Sequence, residues 1–188
     1  MRFLIFISVF FVCTTGWVQE SNTSLFKTSD GYAKITSDAP LEIISAETKS
    51  LKGIIDPRKQ TFAFQLEVTS LKGFNSALQE EHFYENYMET EVYPTAEFSG
   101  KIVEQIDFNN NGIYPIRAKG ILNIHGIKQE RIINCQLNIA NNQIIANSNF
   151  IVNLVDHNIT IPKLVYQKIA EEIKVTIKAT LNKIENQE

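Results

Sequence analysis

Along most of the chain, apolar and polar residues alternate with the two-residue period of β-strands. The clearest run is 61–68, in which four apolar side chains share one face: Phe62, Phe64, Leu66 and Val68. Runs of the same kind cover residues 31–37, 41–49, 50–55, 95–104, 114–124, 128–139, 144–155 and 171–181. The pattern therefore predicts an all-β chain of about eight strands.

One segment, about residues 75–90, breaks the strand period and predicts a short helical insertion. It is rich in helix-forming residues and has no alternation of apolar and polar positions. Ser76 stands three residues before Gln79, which is the spacing of a helical capping box. The insertion is expected to end before Pro94, because proline disfavours helical continuation.

The order of these elements favours an antiparallel architecture. Short turn segments join the alternating runs, and the sequence has no strand–helix–strand repeat of the kind that builds parallel sheets. Strands with one apolar and one polar face occur in sandwiches and in closed barrels. A closed barrel also removes exposed strand edges, which otherwise promote aggregation.

Length and charge narrow the classes of function. The chain has 188 residues, which fits one domain with a core large enough to fold without metal or disulfide support. Its formal net charge is −3, and Lys and Arg form no cluster or stripe. Because nothing in the sequence would neutralise a run of phosphates, the composition predicts no nucleic-acid partner.

The first residues have the pattern of a signal peptide. Arg2 precedes an apolar run over 3–13, and small residues follow at 14–16. This pattern predicts cleavage after residue 16 and a periplasmic or secreted protein, although lipid anchoring at Cys13 and a retained anchor stay open. The expected organisation is a signal peptide (1–16), an N-terminal extension (17–29), one barrel domain (30–183) and a C-terminal tail (184–188).

Removal of the signal peptide would leave Cys135 as the one cysteine of the mature chain. No internal disulfide is then expected, although the compartment would permit one. Cys135 shares its strand face with apolar residues and is interpreted as a small buried hydrophobic side chain. An intermolecular or redox role is the alternative.

Three stretches carry a resemblance to a known family. The first places His82 and Phe83 ahead of a Tyr-Pro-x-x-x-Phe pattern at Tyr93, Pro94 and Phe98. The second is a hairpin signature at Gly120, Leu122, Ile124, His125, Gly126, Ile127 and Lys128. The third joins FIVNLVDHNITIP to the final alternating strand EIKVTIKATL. Together they span about residues 31–181 and resemble the YceI-like proteins.

The resemblance implies a lipocalin-like antiparallel β-barrel of about eight strands in an exported protein. It also implies that the barrel interior binds an isoprenoid-type chain, such as a polyprenyl lipid or an isoprenoid quinone. The chain departs from the family pattern at Leu51, at Glu80-Glu81 and at residues 156–159. These positions lie near the expected barrel mouth, so the departures leave the head group of the ligand open.

A barrel of this size has an interior wide enough for side chains alone or for one slender ligand. Eleven residues are expected to line it: Phe62, Phe64, Leu66, Phe83, Tyr87, Phe98, Ile102, Leu122, Phe150, Ile173 and Val175. Phe83 and Tyr87 lie on the helical insertion together with Tyr84 and Met88, and these four residues would pack in the core or form a lid over the ligand.

Two functions remain open at this level. With a hollow interior, the protein would store or transfer an isoprenoid-type lipid without covalent chemistry. With a filled interior, it would be a ligand-free structural or stress-response barrel, because an apolar strand face has the same sequence pattern in both cases. Transient membrane contact and a homodimer are both compatible with the lipid-binding function.

Catalysis has little support in the sequence. The three histidines, His82, His125 and His157, are far apart and have no metal-binding or nucleophile-elbow motif around them. No catalytic residue, metal site or cofactor is therefore predicted, and the protein is not expected to be an enzyme. His125 precedes Gly126, which adopts positive φ without steric cost, so His125 is interpreted as a structural residue of a tight strand reversal.

Overall fold

The computed structural model describes residues 24–184, so the predicted signal peptide lies outside the described residues. The eight strands, β1 to β8, are Leu25–Asp38, Ile43–Asp56, Thr61–Glu67, Thr95–Ile102, Gly112–Ile124, Ile127–Ala140, Gln143–Asn153 and Glu172–Ile184. Each strand pairs antiparallel with its neighbour in chain order, and β1 also pairs with β8. The predicted antiparallel, lipocalin-like barrel of about eight strands with a short helical insertion is confirmed.

The prediction of two separate strands over 41–49 and 50–55 is wrong, because β2 runs through both segments. Lys49 and Ser50 are both exposed, although strict alternation would bury one of them. The pairing register with β1 shifts at this point, as expected for a β-bulge. A bulge changes the phase in which buried and exposed residues alternate, but the hydrogen-bonded pairing continues. In the sequence, a bulge therefore has the same pattern as the end of a strand.

A second bulge explains why the alternation in β1 becomes clear only at Gly31. Ser29 and Asp30 are both exposed, and the register with β2 shifts between residues 28 and 31. The strand itself begins at Leu25, within the range expected to be an N-terminal extension. Phe26 precedes the bulge and is buried in the core.

One end of the barrel is closed by apolar side chains. This apolar plug consists of Phe26, Ile106, Phe108, Ile139, Ile144 and Leu181. The turns between β2 and β3, β4 and β5, and β6 and β7 lie at this end. Ile144 and Leu181 have no exposed surface, so the plug leaves no apolar route to solvent through its centre.

The opposite end is covered by the connection between β3 and β4, residues 68–94, hereafter the crossover. It contains a 3₁₀ turn (Val68–Ser70), the helix α1 (Ala77–His82) and a π-helical turn (Phe83–Tyr87). The Gln79 backbone N–H donates to the Ser76 hydroxyl over 3.2 Å, which confirms the predicted N-cap. No helix among residues 24–184 is long and apolar enough to cross a membrane.

The connection between β7 and β8 also lies at the crossover end. It begins with a 3₁₀ turn at Leu154–His157, so β7 ends two residues before the predicted boundary at Val155. Asn158 adopts a left-handed φ of 57° and ends that turn. A second 3₁₀ turn at Lys163–Val165 follows Pro162. The connection is therefore a loop with two short helical turns.

Candidate functional site

An apolar cavity of about 200 Å³ occupies the barrel between the apolar plug and the crossover. All eight strands contribute to its wall, because the inward positions of each strand are apolar at every second residue. At the crossover end, Phe83 and Met88 close over it, together with Leu154 and Ile159 from the β7–β8 connection. The arrangement can hold an apolar group away from water.

Aromatic rings form one side of the cavity wall. Phe62 contacts Phe98 with ring centroids 4.9 Å apart, and it contacts Phe64 at 6.4 Å. The three residues come from the adjacent strands β3 and β4, where Phe64 stands directly opposite Phe98. Tilted ring pairs of this kind are favourable beyond the area that they bury. They give the wall a defined shape that aliphatic side chains would not.

Nine of the eleven residues predicted to line the interior do line the cavity. They are Phe62, Phe64, Leu66, Phe83, Phe98, Ile102, Leu122, Phe150 and Val175. This placement fits their proposed role, and contact with a ligand stays a prediction. The agreement follows from strand periodicity, which assigns every second residue to the interior.

The other two residues lie outside the cavity wall. Tyr87 is partly buried and packs on the buried cluster of Val68, Met88 and Ile159, and burial raises the pKa of its phenol. Met88, the residue after the π-helical turn, lines the cavity, whereas Tyr87 within the turn does not. Ile173 stands at the start of β8, opposite Val152 of β7, and is half-buried without lining the cavity.

Several lining residues escaped the sequence prediction. Leu154 begins the 3₁₀ turn of the β7–β8 connection and Ile159 follows it, whereas Met88, considered above only as a core or lid residue, follows the π-helical turn. These segments have no strand alternation, so periodicity gave no signal for them. Leu51 and Ile55 of β2 also line the cavity; Gly53 lies between them on the inward face and the adjacent Ile54 is also apolar, so alternation in this run is weak.

The crossover is held in place by contacts among its own aromatic residues. Phe74 contacts Phe83 at 4.9 Å and Tyr84 at 6.2 Å between ring centroids. The Tyr84 hydroxyl donates to the Leu71 carbonyl, and Lys72 lies 4.9 Å from the centre of the Tyr84 ring. Lys72 also forms a salt bridge with Glu80 of α1. The segment therefore reaches the cavity as an ordered unit.

His125 joins three segments at the crossover end. With Gly126 it forms the turn between β5 and β6, at φ values of 52° and 71°, which confirms the predicted reversal. Its Nδ1 lies 3.1 Å from the His157 carbonyl oxygen, and its Nε2 lies 2.9 Å from a Glu89 carboxylate oxygen. Both ring nitrogens are therefore occupied in tying the turn to the β7–β8 connection and the crossover.

His157 is buried in the β7–β8 connection with no exposed surface. Its Nδ1 lies 3.2 Å from the Ile127 carbonyl oxygen, whereas its Nε2 is buried without a hydrogen-bond partner. Burial lowers the pKa of the imidazole from its ordinary value of 6.5, and this effect outweighs the backbone carbonyls and Asp156, which act in the opposite direction. His157 is therefore a neutral packing residue.

Cys135 lies on the cavity wall, on the inward face of β6. Burial raises the pKa of its thiol to about 11, so the thiol stays protonated at neutral pH. A protonated thiol behaves as a small apolar group in such a wall.

No group of three or more His, Cys, Asp or Glu side chains among residues 24–184 is placed to hold a metal ion. His125 and His157 meet at the crossover end, but the contact is from a ring nitrogen to a backbone carbonyl.

The architecture places the molecule among up-and-down β-barrels with an apolar interior cavity. The sequence pattern of the YceI-like domain family matches residues 18–181, and the chain belongs to this family. No curated protein sequence matches it significantly.

Solved structures with the same fold include proteins from three organisms. The polyisoprenoid binding domain from Saccharophagus degradans, implicated in plant cell wall breakdown, has 10% identity and a TM-score of 0.69, covering 86% of this chain and 99% of that one. BcnA of Burkholderia cenocepacia has 13% identity and a TM-score of 0.65, and the match covers 80% of this chain and 95% of BcnA. The Campylobacter jejuni YceI protein has 14% identity and a TM-score of 0.53 over both full chains. Identities this low establish the fold alone.

Proposed function

We propose that the protein is a non-enzymatic lipid-binding protein that holds an isoprenoid-type chain in its barrel. The observation that carries this proposal is the apolar cavity, which all eight strands line and which the crossover covers. A cavity of this kind favours the lipid-binding function over a ligand-free barrel with a filled core. A solved structural neighbour is described as a polyisoprenoid binding domain, which is consistent with the same ligand class.

The size of the cavity limits what it holds in this conformation. Its volume of about 200 Å³ is somewhat larger than the engineered cavity of about 150 Å³ that accommodates benzene. It therefore holds a short branched section of an isoprenoid chain. A longer polyprenyl lipid or isoprenoid quinone would extend past Phe83 and Met88, or displace them, at the crossover end.

The energetics favour storage or transfer over competition with a membrane. Removal of each methylene from water is worth about 0.8 kcal/mol, but a prenyl chain in a bilayer is already out of water. Binding in the barrel gains this free energy only relative to a prenyl chain that would otherwise be exposed to water. We therefore assign the protein to an aqueous compartment next to a membrane, which fits the proposed export after cleavage at residue 16, with transient membrane contact during transfer.

The binding experiment uses delipidated protein and detergent micelles that contain a polyprenyl alcohol or an isoprenoid quinone. Ala146 is buried on the cavity wall, whereas its neighbour Ile145 points outward and is 38% exposed. Ala146→Phe should fill the cavity and reduce affinity at least about tenfold, while Ile145→Phe keeps wild-type affinity. If the wild-type protein binds no prenyl compound, or if both variants bind equally, the proposal is wrong.

A further inference from the structure

The most exposed large apolar side chain among residues 24–184, Leu164, lies at the tip of the β7–β8 connection. Leu164 is 95% exposed and Tyr166 is 62% exposed, on the short turn that follows Pro162. Leu41, in the turn between β1 and β2, is 66% exposed. The Leu41 N–H donates to the Gln167 carbonyl over 2.9 Å, so the two turns are joined. Residues 163–168 are hereafter the tip loop.

The tip loop lies at the end of the barrel through which a ligand must pass. Ile159, in the same connection, lines the cavity, and so does Leu154 at its start. The opposite end is filled by the apolar plug. A ligand therefore enters and leaves past the crossover, beside the tip loop.

The charges of the tip loop are arranged around its apolar residues. Lys163 and Lys168 flank Leu164 and Tyr166, and both lysines are exposed. The acidic residues of this region are Glu42, Glu171 and Glu172. Hydrogen bonds from the Asn75 and Gln79 side chains lower the pKa of the Glu42 carboxyl, and the nearby positive charge of Lys168 lowers it further. A long lysine side chain can place its ammonium among phosphate head groups while neighbouring apolar side chains enter the membrane interface.

We propose that the tip loop, together with Leu41, docks the open end of the barrel on a phospholipid bilayer. The proposal rests on the proposed function, because an isoprenoid chain that moves between bilayer and cavity at a docked mouth avoids exposure to water. Tyrosine suits this position, since its ring is apolar and its hydroxyl stays hydrated. Three side chains are far too small a surface for a stable protein partner, which needs about 800 Å² on each side.

The experiment places a fluorescent reporter at the tip loop of the full chain. Trp17 is the single tryptophan, so Trp17→Phe allows Tyr166→Trp to introduce a unique reporter. The matched control is Ile113→Trp at the closed end, where Ile113 is 63% exposed. The probe is a vesicle of phosphatidylethanolamine and phosphatidylglycerol with a spin-labelled phosphatidylcholine as quencher, and it contains no prenyl lipid.

Vesicles should quench the reporter at position 166 at least about threefold more than the reporter at position 113. Leu164→Ser in the Tyr166→Trp chain should weaken vesicle partitioning about tenfold, because one apolar anchor is lost. Equal quenching at both positions, or quenching that survives Leu164→Ser, would overturn the proposal. The absence of quenching at position 166 would also overturn it, and would favour a protein partner for the tip loop instead of a bilayer.

A second measurement separates this proposal from the proposed function. Leu164→Ser should bind a polyprenyl alcohol from detergent micelles with unchanged affinity, because Leu164 does not line the cavity. Quenching at position 166 in a protein that binds no prenyl compound would contradict the proposed function while supporting the docking surface.

Discussion

The ring of Phe64 lies against the Cα of Gly53, which stands directly opposite it across β2 and β3. A Cβ at position 53 would come within 2.3 Å of the Phe64 Cε1 atom. The absence of a side chain at Gly53 therefore lets the Phe64 ring lie flat on the barrel wall. This pair helps to set the width of the cavity, because any side chain at position 53 would push the ring toward its centre.

Gly53→Ala should therefore narrow the cavity and destabilise the fold. We expect a loss of about 1–3 kcal/mol in the free energy of unfolding, typical of an overpacked core, together with weaker binding of a prenyl alcohol. Urea denaturation and a binding titration measure the two effects. Phe64→Leu in the Gly53→Ala background is the control, because the smaller side chain removes the clash and should recover part of both losses. Unchanged binding by Gly53→Ala would contradict the assigned role of this pair.

Strand periodicity made much of the fold and of the cavity wall predictable. Phe62, Phe64 and Leu66 occupy alternate positions of β3, and the same rule assigns Phe98 and Ile102 to the interior. The rule depends on local sequence alone, so it needs no knowledge of which strands are neighbours.

The remaining features depend on geometry that the local pattern does not encode. The bulge at Lys49 and Ser50 reverses the phase of alternation within one strand. Met88, after the π-helical turn, lines the cavity, whereas Tyr87 within that turn does not. The contact of His125 with Glu89 joins residues 36 positions apart, which only the closed barrel brings together.

Stability should fall as the pH falls below about 6.5, in part because of His157. Its folded-state pKa lies below the ordinary value of 6.5, so under mildly acidic conditions the unfolded chain binds a proton that the folded chain does not. The contribution of His157 to the free energy of unfolding is complete above the ordinary pKa of 6.5. It is lost as the pH falls from 6.5 toward the lowered pKa of the folded state. Each unit of pKa depression corresponds to at most about 1.4 kcal/mol.

Urea midpoints at about pH 7.5 and about pH 5.5 test this dependence. His157→Asn retains a donor near the Ile127 carbonyl but cannot be protonated, so its midpoint should change less between the two conditions than that of the wild-type protein. An equal change in both proteins would exclude His157 as the source.

His125→Ala should destabilise the crossover end of the barrel. The change removes the contacts of the ring with the His157 carbonyl and Glu89, and its packing at 4.7 Å from the Tyr93 ring. We expect a loss of about 1–3 kcal/mol in the free energy of unfolding. His82→Ala on the exposed surface of α1 is the control and should change stability by no more than about 0.5 kcal/mol. Stability of His125→Ala equal to that of the wild-type protein would refute the structural role.

Cys135 should react slowly with iodoacetamide in the native protein. Its thiol has a pKa of about 11 and faces the cavity, so little thiolate is present and access is restricted. Peptide mass spectrometry follows alkylation at position 135 in native and urea-unfolded protein. Addition of a prenyl alcohol should slow the native reaction further. Equal rates with and without the alcohol would indicate that the alcohol does not reach the cavity wall at Cys135.

The most direct test of an isoprenoid chain inside the barrel is photo-crosslinking with a prenyl alcohol that carries a diazirine at its tail. The crosslinked peptides are identified by mass spectrometry. We expect labels on inward residues such as Phe62, Phe98 and Phe150, and their loss in Ala146→Phe. Labels confined to outward residues such as Ile121 and Ile132, or labelling unaffected by Ala146→Phe, would contradict the account.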